Sequence, residues 1–243
     1  MRDGKSAIPG TLRTFSLIGL MAVAGGCDTN AALLPLPVAP VQAELPWLDA
    51  PVARSRTDHA RNRDWILTRE GLFMRDRAVP EAVGKLEVPG WHWAGEPYGY
   101  LPDLALGPKG EAVITSDVLA TLWRIDPETL AVSEHALVLD ADTDKDIGFS
   151  GLAYSSAQGA YFAVSHGDGS LWRIDPTLKR GQKIQLSKPV PGAYGLTVPR
   201  SDFPERSRFL TRLCVSAPQG SWSIDLAPDQ RSAYVRTATC KAS

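Results

Sequence analysis

Ten residues, WHWAGEPYGY at 91–100, hold four aromatic rings, an imidazole and a carboxylate: Trp91, His92, Trp93, Glu96, Tyr98 and Tyr100. Rings with a polar edge suit ligands that are flat and partly polar, such as a sugar face, a peptide or another aromatic. The same rings would equally serve to plug the centre of a closed fold, so composition leaves both uses open. His166, in the Gly-rich stretch HGDGS, joins them as a ligand-binding candidate.

A second loop alternates carboxylates, with Asp140, Asp142, Asp144 and Asp146 in DADTDKDIG. Calcium loops supply hard oxygen ligands in this pattern. Here Lys145 stands where an EF-hand needs glycine, and Gly151 stands where its twelfth-position glutamate belongs. A solvated acidic loop is the simpler expectation. Calcium, the one weak cofactor candidate, would need another geometry.

Catalytic chemistry has less to work with. The chain lacks G-x-S-x-G, H-E-x-x-H and a P-loop, and His59, His92, His135 and His166 do not have metal-ligand spacing. No catalytic residue is assigned. Some lactonases and phytases hold a metal with carboxylates, Asn or His at the mouth of a central channel. By that comparison His92, His166, Asp103, Asp146 and Asp168 are the groups to watch near an axis.

The elements that must position these residues announce themselves by repetition. LWRIDP occurs at Leu122–Pro127 and again at Leu171–Pro176. Weaker copies, GLFMRD ending at Asp76 and GSWSIDL at 220–226, extend the series at intervals of 50, 49 and 50. A β-type run precedes each copy (DWILTR, AVITSD, AYFAVS, FLTRLCVS), and a turn and another run follow it (GKLEV, AVSEHALVL, QKIQL, SAYVRT). A further short strand opens the later units, in YLPDLAL, GFSGLAY and AYGLTV. Four strands recurring near fifty residues are the signature of a propeller blade. The expectation is an all-β, propeller-like domain of about four blades of four antiparallel strands over residues 51–243. VARSRTDHARN, where the first strand of the first blade should lie, is too polar to read as a central strand.

Each letter of LWRIDP has a structural use. Trp123 and Ile125 share one face of their strand, Leu122 and Arg124 the other. The tryptophan fills the gap to one neighbouring blade, and the arginine lays its stem along the other. The Asp-Pro pair then makes a turn.

The segment SGLAYSSAQGAYFAVSHGDGSLWRIDP resembles blades of the NHL/YVTN-like and SdiA-regulated propeller families, chiefly over the third repeat. The resemblance implies a fold far more than an activity. If the strands are lettered A to D outward from the axis, the D–A and B–C loops share one face. That face collects 91–100, 140–148 and 189–194 with 117–121, 166–170 and 217–221, and propellers generally bind ligands there.

The N-terminus addresses the chain. A basic start with Arg2, Lys5 and Arg13 leads into the apolar run FSLIGLMAVAGG, too short for a comfortable membrane span and ending in small residues. VAGGC resembles the lipobox of bacterial lipoproteins, which implies cleavage after residue 26 and lipidation of Cys27. Asp28 stands where enteric lipoproteins carry an inner-membrane retention signal. Residues 27–50 are rich in Ala, Leu and Pro and read as an extended tether. With Cys27 acylated, Cys214 and Cys240 remain as an even pair in an oxidising compartment, where a disulfide is expected.

Lys and Arg number 26 against 27 Asp and Glu, which gives nucleic-acid binding no basic face. The function expected is a membrane-anchored, non-enzymatic module on the periplasmic side of the cell envelope. It would bind a peptide, glycan or envelope protein. The competing expectation is a metal-dependent hydrolase or lactonase at the same face.

Overall fold

The computed structural model describes residues 52–94, 100–141, 147–199 and 211–237. Among them every regular element is a strand, and the strands fall into four successive antiparallel sets. The first is β1 (Val52–Asp58), β2 (Arg63–Thr68), β3 (Gly71–Asp76) and β4 (Val83–Leu86). The second is β5 (Leu104–Leu106), β6 (Ala112–Thr115), β7 (Thr121–Ile125) and β8 (Val132–Ala136), followed by the short β9 (Val138–Leu139). The third is β10 (Phe149–Ser155), β11 (Ala160–Ser165), β12 (Leu171–Ile174) and β13 (Arg180–Leu186). The fourth is β14 (Leu196–Thr197), β15 (Arg212–Ala217), β16 (Gly220–Leu226) and β17 (Ser232–Thr237). The architecture is all-β and propeller-like, with each repeat of about fifty residues forming one blade.

Strand alternation decides what each blade buries. In β7, Trp123 and Ile125 enter the seam with blade one, beside Trp65, Leu67 and Leu72. Leu122 points the other way, into the seam with blade three, where Phe149, Leu152, Trp172 and Ile174 meet it. Leu171 and Ile184 face blade four and pack on Leu213, Val215 and Ile224. Each fully buried aliphatic or aromatic chain contributes about 1.5–3 kcal/mol, so three apolar seams hold four thin sheets that could not bury a core alone.

The rim is stitched by backbone. The chain leaving each blade lies against the outer strands of the next. Pro89 O accepts the indole N–H of Trp123, β9 pairs in parallel with β13, and Ser187 N–H donates to Ala233 O. β13 also pairs in parallel with β17, joining the outer edges of blades three and four.

LWRIDP behaves as its letters dictate. Asp126 accepts the N–H groups of Glu128 and Thr129. Asp175 accepts those of Thr177 and Lys179. Each turn then closes on a leucine in the left-handed region, Leu130 and Leu178, both at φ 58°.

The expectation for the first strand fails. VARSRTD is β1, the inner strand of blade one, paired with β2 along its length. Its polarity is absorbed by partners rather than by water. Arg54 reaches Asp103 of the second blade, Thr57 donates to Asp64, and Asp58 sits between Arg61 and Arg63. Cys214 is buried in β15; Cys240 lies outside the described residues, as do residues 1–51 with Cys27.

Candidate ligand-binding face

Strand order puts the D–A and B–C loops on one face, as expected, and there two candidates from separate blades meet. The rings of Tyr100 and His166 lie with centroids 4.0 Å apart, inclined at 34°. Tyr100 belongs to the loop before β5, and His166 opens the β11–β12 turn. His166 Nδ1 lies 3.1 Å from Ala193 O, which precedes β14. A carbonyl only accepts, so Nδ1 is the donor of this bond. The loop between blades one and two, the β11–β12 turn of blade three and the loop between blades three and four thus meet at one imidazole.

Trp91 and Trp93 are half-buried against the seam of blades one and two, and the Trp91 indole N–H donates to Thr115 O at 2.9 Å. Both are thus partly covered by the seam and partly at the surface. His92, between them, is exposed. Glu96 and Tyr98 lie outside the described residues.

The acidic loop begins elsewhere. Asp140 accepts the backbone N–H of Lys183 on β13, so its carboxylate serves the outer rim. Asp142, Asp144 and Asp146 lie outside the described residues. Among the described residues, no group of three or more His, Cys, Asp or Glu is placed to hold a metal. Asp168 also points to the rim, accepting from Ser170 N–H and pairing with Lys183 at 3.3 Å.

Asp103 does reach the centre, and what surrounds it was not legible in the sequence. It is fully buried and accepts Arg54 Nε–H at 2.7 Å and the Leu152 N–H of blade three at 2.7 Å. Arg56 Nη2 lies 3.6 Å away. Bulges at the start of β1 and β10 leave Ala53 and Ser150 without a cross-strand partner in register. Ser150 Oγ–H donates to Ala193 O at 2.6 Å, and Gly195 N–H donates to Ser150 O at 2.8 Å.

Three further residues of this face lie in loops that the sequence assigned to it but were not singled out as candidates. Tyr194 and Leu119 are exposed at 40% and 45%, apolar surface beside polar loops. Asp117 is buried; one carboxylate oxygen accepts Ala94 N–H at 3.4 Å and the other has no hydrogen-bond partner. Burial drives its carboxyl above the usual carboxylate range, against the pull of the Ala94 N–H.

No protein-family model matches the sequence, and no curated protein is significantly similar to it. Solved structures share its fold. A catalytically inactive virginiamycin B lyase from Staphylococcus aureus with quinupristin superposes at a TM-score of 0.58 and 13% identity, over 81% of this chain and 59% of that one. An auxiliary nutrient binding protein from Bacteroides thetaiotaomicron gives 0.52 and 11%, over 80% and 43%. A GH74 xyloglucanase from Xanthomonas campestris gives 0.52 and 14%, over 76% and 30%. The chain therefore spans a little over half of that lyase and less of the other two. At such identities the likeness is one of fold alone: this chain is built as β-propeller-like proteins are.

Proposed function

We propose that this chain is a lipid-anchored, non-enzymatic binding module of the bacterial cell envelope. Cys27 and the Pro-rich tether hold it to the periplasmic side of a membrane. The face built from the D–A and B–C loops takes a peptide, glycan or protein partner. The observation that carries the reading is the Tyr100–His166 pair, held by loops of different blades, with exposed Tyr194 and Leu119 on the same face. Preformed rings held in a fixed orientation bind flat, partly polar groups with little ordering cost. A nutrient-binding protein among the structures of the same fold is compatible with this use.

The test uses the full chain in detergent, with Trp91 and Trp93 as fluorescent reporters at the face. Titration with N-acetylglucosamine oligosaccharides and short peptides should give saturable quenching, weakened about tenfold or more in Tyr100→Ala. Binding of either probe that ignores Tyr100 and His166 changes would remove the face from the account. A divalent ion retained through dialysis and required for turnover of a lactone would favour the metal-dependent hydrolase instead.

A further inference from the structure

The floor of this face carries unbalanced charge. Asp103 is one carboxylate, and two guanidiniums converge on it, Arg54 at 2.7 Å and Arg56 at 3.6 Å. Among the described residues, neither arginine pairs with a second carboxylate, so one positive charge is in excess. Arg54 spends Nε on Asp103, while its buried Nη2 has no hydrogen-bond partner. Arg56 gives Nη1 to the carbonyl of Ser55. Burial holds the Arg56 guanidinium below its ordinary pKa, Asp103 recovering only part of the loss and Arg54 adding to it.

The backbone has made room for these cations. Gly195 has φ +79°, and a Cβ there would stand 2.8 Å from Arg54 Nη2. The contacts then run without a break from charge to rings. Arg54 touches Gly195, Gly195 bonds Ser150, Ser150 bonds Ala193 O, and that oxygen also bonds His166, which stacks on Tyr100. The surplus cation and the aromatic pair belong to one contiguous assembly.

We propose that the Arg54–Asp103–Arg56 cluster is an anion subsite, and that the ligand of this face carries a carboxylate or similar small oxyanion beside its ring-stacking portion. A planar guanidinium matches a carboxylate in geometry. Asp103 orients the pair without neutralising both members. An acidic glycan and a peptide with a free carboxyl group share this chemistry. The inference rests on the face assigned above and narrows what it binds.

Benzoate and its neutral counterpart benzamide test it on the full chain in detergent, at fixed ionic strength. Benzoate should bind saturably, with benzamide at least about tenfold weaker, the range expected for hydrogen bonds to a charged group. Arg56→Gln, a substitution outside the Arg54–Asp103 bond, should erase that difference and leave the melting temperature near the parent value. Equal binding of the two probes overturns the anion subsite, as does a preference for benzoate that survives Arg56→Gln, or no benzoate binding at all. Tyr100→Ala separates the two claims. Loss of affinity for both probes supports the face, whereas benzoate binding that depends on Arg56 but not on Tyr100 keeps the anion subsite and sinks the face.

Discussion

Arg124, the arginine of the first LWRIDP, donates an Nη2–H to the carbonyl of Pro176, the proline of the second. Blade one uses Arg63 of β2 for the same bond, to Pro127 O at 2.7 Å. The repeat is thus a device by which one blade grips the turn of the next. Arg124→Met keeps much of the aliphatic stem and deletes the bond. It should lower unfolding free energy by about 1–2 kcal/mol in urea titrations. Arg173, at the same place in the second copy, has no such carbonyl among the described residues and a buried Nε without a partner. Its change to Met should stay within about 0.5 kcal/mol. Equal losses at both positions would show that stems, not carbonyl bonds, hold the seams.

Trp172 fills the seam of blades two and three, is fully buried, and donates its indole N–H to Ser170 Oγ at 2.8 Å. Trp222, its counterpart in the fourth copy, is only half-buried against the last seam. Trp172→Ala should destabilise by about 3–5 kcal/mol, and Trp222→Ala by clearly less. Differential scanning calorimetry of both variants checks the order. A reversed ranking would contradict the burial of the two rings.

Blade boundaries were readable because each unit repeats a pattern whose period is two within strands and about fifty between them. SAYVRT coincides with β17, and AYFAVS with β11. β1 escaped because hydrophobicity was the signal sought, while Arg54 and Arg56 converge on Asp103, forty-nine and forty-seven residues further on. Spacing two apart on one strand was the available hint, since it puts both cations on one face. The strand order put Tyr100 and His166 on one face, but nothing in the sequence paired their rings. That pairing depends on how loops of different blades converge, which only the packing of the seams decides. Likewise nothing in the sequence marked the bond of Asp140 to Lys183 N–H on the outer strand.

The N-terminal proposal has its own test. Cys27→Ser should move the chain from the membrane to the soluble fraction, and metabolic labelling with a fatty acid should lose its signal. Continued membrane association of the variant would remove the lipoprotein assignment. Mass spectrometry of a non-reduced digest should join the Cys214 and Cys240 peptides. Recovery of Cys240 as a free thiol would remove the proposed bridge.

Two carboxyls should titrate with opposite consequences. The backbone N–H groups of Thr129 and Glu128 hold Asp126 below the ordinary carboxylate range. Its contribution is therefore present above the unfolded value, about 3.9, and is lost as pH falls through the folded one. Asp117 is the reverse case, because burial raises its carboxyl and the folded chain binds that proton more readily than the unfolded chain. Stability from Asp117 is present at low pH and is lost as pH rises through the folded value, leaving a buried charge at neutrality. Asp117→Asn should then raise stability at pH 7 by about 1 kcal/mol, with the gain shrinking towards pH 4. Asp126→Asn should cost stability at pH 7, with the cost shrinking as pH falls into acid. Melting curves from pH 3 to 8 for parent and variants give both signs. A gain for Asp117→Asn that persists unchanged into acid would show that charge is not what its burial costs, and would leave shape as the cause.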